Sequence, residues 1–257
     1  MYNLTEIVSD KNIPSGELVL YWLGGASFII KNSKIAIGLD LYLSDSCRNE
    51  KGEFKRIMPE FIEANALKLD YLIATHDHGD HFDYGAVKEL INENNNTKLI
   101  GPNSVLKAAK KLGIEDLKFI KLNRGETVKI DDVIFTAVLA DHGSYSPDCI
   151  GMVIKINEIN IYYTSDSCYK PDLLDSLSLK DKIDILIVPI NGKFGNPDAR
   201  DASYITYLVN PKFVIPCHYW MFKEHGGDPG EFNTYCTDIV PDIKIMIPAI
   251  GEGLIFK

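Results

Sequence analysis

The alternation of apolar and polar positions divides the chain into a β-rich opening, a helical middle and a last third where strands and helices alternate. Leu18 to Trp22, Ser27 to Lys31 and Lys34 to Leu39 read as strands, separated by Gly-Gly and Asn-Ser turns. Ser44 to Leu69 is charged and irregular, and Tyr71 to Ala74 then forms a short apolar strand. Tyr84 to Asn94 predicts a helix with Tyr84, Val87, Leu90 and Ile91 on one face. Asn103 to Leu112 predicts a second, with Val105, Ala109 and Leu112 inward, Asn103 as N-cap and Gly113 just past the end. After Lys118 the period returns to that of strands, at Val128 to Ile130, Val133 to Leu139, Gly151 to Ile156 and Asn160 to Thr164. Ile183 to Ile190 is an unbroken apolar run, the pattern of a strand covered on both faces. A helix over Ala199 to Val209 stops near Pro211, followed by strand Phe213 to Pro216 and a helix around Glu231 to Thr237. No linker, low-complexity tract or internal repeat interrupts this order. Strands interleaved with helices predict an α+β fold of two packed β-sheets with helices outside, as a single domain over 1–257.

Composition narrows the function classes. Apolar residues make up 46% and charged residues 25% of the 257, ordinary for a globular protein. No apolar run reaches the roughly 20 residues a bilayer requires, and the opening residues lack the basic start and apolar core of a signal peptide. The five cysteines never form a CxxC pair, which reads as reduced thiols in a cytoplasmic protein. A net charge of −9 argues against a nucleic-acid surface, since phosphate neutralisation needs a basic stripe. A small anionic substrate stays open wherever a few cations gather.

Five of the six histidines then fall into one pattern. His76, His78 and His81 lie with Asp80 directly after the Tyr71–Ala74 strand, whereas His142, Asp166 and His218 each follow a separate predicted strand. Side chains just beyond strand ends can converge at one edge of a rigid sheet. Neutral imidazoles and carboxylates bind a divalent ion, and an open position carries the reactive water. His76, His78 and His142 make a three-imidazole site, Asp80, His81 and His218 a second position, and Asp166 suits a bridge between them. His225, in a polar Glu-His-Gly-Gly loop, reads as a solvated or substrate-rim residue. Asp40 either orients a ligand imidazole or caps backbone at its strand end. Cys168 and Cys217 read as inert thiols beside the ligand loops.

The run Thr75-His-Asp-His-Gly-Asp-His81 resembles the signature of the metallo-β-lactamase superfamily, whose fold is an αββα sandwich. Trp22-Leu-Gly-Gly-Ala-Ser-Phe, Leu39-Asp-Leu-Tyr-Leu-Ser-Asp-Ser-Cys47, Pro189-Ile-Asn-Gly192 and Ile215-Pro-Cys-His-Tyr-Trp-Met-Phe222 are similar to the L-ascorbate-6-phosphate lactonase branch. Leu41 departs from it, standing where the branch has Pro. The resemblance implies His76, His78, Asp80, His81, His142, Asp166 and His218 as metal ligands, holding one or two ions of Mn or Zn, with Fe also suited to the donors. It implies a homo-oligomer as well. Diiron flavoproteins of the fold resemble HxExD and place a carboxylate where His78 stands. Secreted β-lactamases carry an export signal, and the transfer-RNA nucleases need a basic surface, so neither branch fits.

The leading expectation is hydrolysis of a lactone or ester of a phosphorylated sugar acid. Asp80 would accept or steer the proton of the attacking water, and His218 or Tyr219 would protonate the leaving alkoxide. Tyr219 reads equally as a packing residue. Asn191, Lys193, Arg200 and His225 are the substrate-contact candidates, with Lys223 a further flanking cation. Phosphodiester hydrolysis, for example of a cyclic nucleotide, is the alternative enzyme, and a non-catalytic metal-binding protein the alternative of another class.

Overall fold

A computed structural model describes residues 13–92, 96–170 and 182–257. In chain order the first strands are β1 (Leu18–Trp22), β2 (Phe28–Lys31), β3 (Ala36–Leu39) and β4 (Tyr71–Ile73). Helix α1 (Val87–Asn92), strand β5 (Lys98–Gly101), helix α2 (Asn103–Lys111) and strand β6 (Phe119–Lys121) follow. Then come β7 (Thr127–Ile130), β8 (Val133–Leu139), β9 (Ile150–Ile156), β10 (Ile159–Tyr163) and β11 (Ile185–Pro189). The chain closes with α3 (Ala199–Val209), β12 (Phe213–Cys217), α4 (Pro229–Ile239), β13 (Lys244–Ile245) and β14 (Gly253–Phe256). No helix among the described residues is long and apolar enough to cross a membrane.

Packing divides the described residues into two compact units, one drawn from 1–121, 221–224 and 248–257, the other from 122–220 and 225–247. The first holds a sheet in the order β14-β1-β2-β3-β4-β5-β6. Pairing is antiparallel from β14 to β3 and parallel from β3 to β6. Every residue of β1 to β4 is buried, so both faces of these strands are covered, which the unbroken apolar runs allow. The β1–β2 turn needs Gly24 and Gly25, whose φ angles are 97° and 55°.

The second unit holds the order β13-β12-β11-β10-β9-β8-β7. Its strands β7 to β10 pair antiparallel and β10 to β13 parallel. Each sheet thus joins an antiparallel meander to a parallel stretch, although no internal repeat is visible in the sequence.

The helices hold closely to expectation in the second unit. Helix α3 begins under Asp198, whose carboxylate accepts from the Asp201 N–H, and ends at Asn210 in the left-handed region. Helix α4 is longer than its apolar pattern suggests, because Asp228 caps it and Pro229 occupies its first turn. In the first unit, α1 is shorter than Tyr84–Asn94 and Tyr84 lies outside it, exposed, donating its hydroxyl to the Asp77 carbonyl. Glu93 and Asn94 lie outside the described residues. Asn103 is the first residue of α2 rather than its cap, which is Pro102 and gives no side-chain bond.

Candidate functional site

Strands β3 and β4 are adjacent and parallel, with Leu39 opposite Ile73, so the segments that follow them leave from the same edge. Asp40 stands there at φ 45°, a conformation a non-glycine residue holds only when its neighbours fix it. Its carboxylate accepts from the Thr75 N–H (2.8 Å) and the Thr75 hydroxyl (2.6 Å). His81 Nδ1 lies 2.6 Å from the same carboxylate, and both side chains are fully buried. A hydrogen bond to a carboxylate there requires the proton on Nδ1, which puts the ring's lone pair on Nε2, the atom a metal would use. Asp40 therefore fills both roles the sequence left open, orienting an imidazole and satisfying backbone.

The signature run closes as a tight turn, with the N–H groups of His81 and Phe82 both donating to the His78 carbonyl. That turn gathers the imidazoles. The His76 ring centre is 4.5 Å from His78 and 4.1 Å from His81, and His76 Nε2 is 3.0 Å from His78 Nδ1. Asp80 Oδ2 sits 3.9 Å from His81 Nε2 and is partly open to solvent. Gly79 is required here, because a Cβ would meet Cys47 Sγ at 2.7 Å. Burial, followed by the nearby Asp80 charge, pushes the Cys47 thiol up to about 12, so it stays protonated.

Asp83 is a residue the sequence reading missed. Its buried carboxylate accepts from the N–H groups of Leu43, Ser44 and Gly85 and from the hydroxyls of Ser44 and Ser46. It ties the loop after β3 to the turn that carries His81. The available signal was its position, a carboxylate directly behind the signature run.

In the second unit, β10, β11 and β12 run parallel, and β8 runs in the same sense because two antiparallel pairings separate it from β10. Their carboxyl ends share one edge, and there stand His142 after β8, Asp166 after β10, Asn191 after β11 and His218 after β12. Ligand sites in such sheets gather beyond the carboxyl ends of the strands. Asp166 Oδ1 is 3.2 Å from His218 Nε2, and Asp166 Oδ2 is 3.6 Å from His142 Nε2. All three side chains are at least 95% buried. One carboxylate turning an oxygen to each of two imidazole nitrogens is the arrangement a ligand shared by two divalent ions requires. The residues present fit the metal. Ser165 and His218 hold φ angles of 58° and 63°, so the ligand-bearing backbone is strained at both turns.

His225 is half-buried, with its ring centre 4.6 Å from His218 and 6.0 Å from Phe194. Tyr219 is buried beside Trp220, and burial raises its phenol well above the usual range. Lys193 is exposed in the loop that follows Asn191. Arg200 lies exposed on α3 with its guanidinium 5.8 Å above the Tyr204 ring. Cys217 is buried, and Cys168 is half-buried with its thiol raised by burial, which favours the protonated form of that thiol. The structure thus gathers His76, His78, Asp80 and His81 in the first unit, and His142, Asp166 and His218 in the second.

A family model described as the β-lactamase superfamily domain matches residues 19–218. The chain belongs to this superfamily. It is 30% identical over 238 residues to a UPF0173 metal-dependent hydrolase of Thermococcus kodakarensis, covering 91% of this chain and 97% of the relative. A UPF0173 metal-dependent hydrolase of Caldivirga maquilingensis is 29% identical over 239 residues, covering 91% and 96%. Those matches place the chain in the UPF0173 metal-dependent hydrolase family, which is coarser than the lactonase branch its segments resemble. Among solved structures, a metallo hydrolase of the archaeon Ignicoccus hospitalis superposes with a TM-score of 0.77 at 21% identity, covering 94% of this chain and 99% of that one. The likeness shows the metallo-β-lactamase fold and so the fold class expected from the sequence.

Proposed function

We propose that the chain is a metal-dependent enzyme that hydrolyses a lactone or ester of a small anionic sugar acid, phosphorylated as in L-ascorbate 6-phosphate. The observation that carries the reading is the Asp166 carboxylate, buried and turned by one oxygen each toward His142 and His218. A structural zinc site has no use for a shared carboxylate of this kind, whereas hydrolytic two-ion centres do. His76, His78, Asp80 and His81 of the first unit, and His142, Asp166 and His218 of the second, are the residues that would hold metal. A bound divalent ion supplies Lewis acidity and lowers the pKa of water.

The side chains account for the rest. Asp80 is less buried than its neighbour His81, so it can meet an incoming water and take its proton. His81 is not that base, because with its proton held on Nδ1 by Asp40 its one lone pair, on Nε2, would be taken up by the metal. His218 or the neutral phenol of Tyr219 would return a proton to the leaving alkoxide, and Lys193 would meet the substrate anion. The branch-level segments favour a lactone over a phosphodiester, and the charge of −9 favours a small substrate over a nucleic acid.

The test is a turnover panel on protein of measured metal content, sugar lactone phosphates on one side, bis-p-nitrophenyl phosphate and cyclic nucleotides on the other. Lactones should be hydrolysed with the higher kcat/KM. Faster turnover of the phosphodiesters would replace the lactonase reading with the phosphodiesterase one, and no turnover of either would leave a metal-binding protein.

A further inference from the structure

Two carboxamides in the second unit are buried and yet make no hydrogen bond to any described residue. Asn191 is 1% exposed and Asn196 is 8% exposed, and among the described residues neither the Nδ2 nor the Oδ1 of either finds a hydrogen-bond partner. Buried polar atoms are nearly always satisfied, so two unsatisfied amides in one loop require a cause. Burying them costs stability, and a fold retains such a cost where the groups serve a ligand.

The backbone around them is built to hold this state. The Gly192 N–H donates to the Pro197 carbonyl and the Asn196 N–H to the Lys193 carbonyl, pinching the segment into a closed loop. Gly192, Phe194 and Gly195 take φ angles of 60°, 55° and 87° to make that turn. Two glycines of the His225 loop lie against it. The Gly226 N–H donates to the Asn191 carbonyl, and a Cβ on Gly226 would meet that oxygen at 2.5 Å. A Cβ on Gly227 would meet the Ile190 carbonyl at 3.0 Å. Asn191 is fixed, moreover, at a chosen place. It follows β11, which lies between β10 and β12, so it stands between the segments that carry Asp166 and His218.

We infer that Asn191 and Asn196 form a subsite for the hydroxyl groups of a polyhydroxylated ligand, beside the metal-ligand edge of the second unit. The inference rests on the substrate class proposed above and adds which part of the substrate these residues read. A carboxamide offers a donor and an acceptor together, and a hydroxyl needs both. The dianion of a phosphate monoester accepts hydrogen bonds and donates none, so it would leave both Oδ1 atoms unsatisfied; the anion falls to Lys193 and the amides to the sugar hydroxyls. Hydroxyl-reading groups discriminate strongly, because an analogue lacking the hydroxyl leaves them unpaired.

The test uses metal-loaded protein, gluconate as the polyhydroxy acid, hexanoate as its deoxygenated counterpart and inorganic phosphate as the bare anion. Wild type should bind gluconate about tenfold or more tightly than hexanoate by calorimetry. In Asn191→Leu and Asn196→Leu, which keep the side-chain shape, that ratio should fall toward one. Metal content should hold, and the unliganded Tm should stay level or rise, because an unsatisfied buried amide has gone. A Tm that drops by several degrees would assign the amides a structural role and overturn the inference. So would an unchanged gluconate-to-hexanoate ratio, no preference in wild type, or a loss confined to phosphate binding. Failure of the lactone panel with the gluconate preference intact would remove the lactonase reading and leave the subsite standing.

Discussion

Asp80 and Asp40 are both carboxylates next to His81, and their surroundings give them different work. Asp40 is sealed, with its oxygens committed to Thr75 and His81. Asp80 is partly open and lies 3.9 Å from His81 Nε2. Replacing Asp80 by Asn keeps an oxygen donor of similar size but removes the proton acceptor. Turnover should fall by about 10²–10⁴, mostly in kcat, while metal content measured on the same sample stays largely intact. A fully loaded, nearly wild-type Asp80→Asn enzyme would place the base elsewhere. Asp40→Ala should instead lower metal affinity by about 10–100-fold, because His81 loses the partner that fixes its tautomer and angle. Competition with a chelator reads that difference directly, and unchanged affinity would leave Asp40 a backbone cap alone.

At the scale of elements, the ligands are placed by close approaches that only small side chains permit. Gly101 ends β5, and a Cβ there would meet the Ala74 carbonyl at 2.6 Å, just ahead of His76. Gly101→Ala should cost about 1–3 kcal/mol, seen as a lower midpoint in urea, because backbone cannot yield as a side chain can. Equal midpoints would show that β5 shifts freely. Helix α4 carries a different sensitivity. Burial pushes the Cys236 thiol up to about 12 from an ordinary value near 9. A raised folded-state pKa means the thiol's contribution is complete below pH 9 and is lost as pH climbs from 9 toward 12. Thermal stability should therefore decline across that window, and Cys236→Ala, though less stable at neutral pH, should decline less steeply. Parallel alkaline profiles would assign the loss to other groups. The elements themselves were legible to different degrees. Helix α3 was readable to its boundaries, because Asp198 and Pro211 flank an apolar period. Strands β5 and β14 were not, since four residues each give no periodicity to detect and their pairing partners are distant in sequence.

For the whole molecule, metal bound by these residues would couple binding to folding. A ligand that binds only the native state raises its stability by RT ln(1 + [L]/Kd). Removing the ion with a chelator should lower the Tm, and restoring Mn or Zn should return it. The double variant His76→Ala/His78→Ala should already melt at the lower temperature, lack stoichiometric metal and ignore the chelator. A double variant that keeps its full metal would refute the ligand assignment.

Residue types and their spacing pointed to the candidate metal donors, since imidazoles and carboxylates crowded into one short run have few other uses, and His142, Asp166 and His218 each follow a readable apolar strand. The same pattern determined the fold class. Tertiary structure alone decided which atoms face one another. The parallel pairing of β3 with β4 brought Asp40 to His81, and that of β10, β11 and β12 set Asp166, Asn191 and His218 along one edge. It also left Asn191 and Asn196 buried and unsatisfied and gave Asp83 its five donors. The physical reason is the same throughout. Local pattern sets where a strand ends, but only its pairing partner, chosen by packing across long stretches of chain, sets which strand end stands beside it.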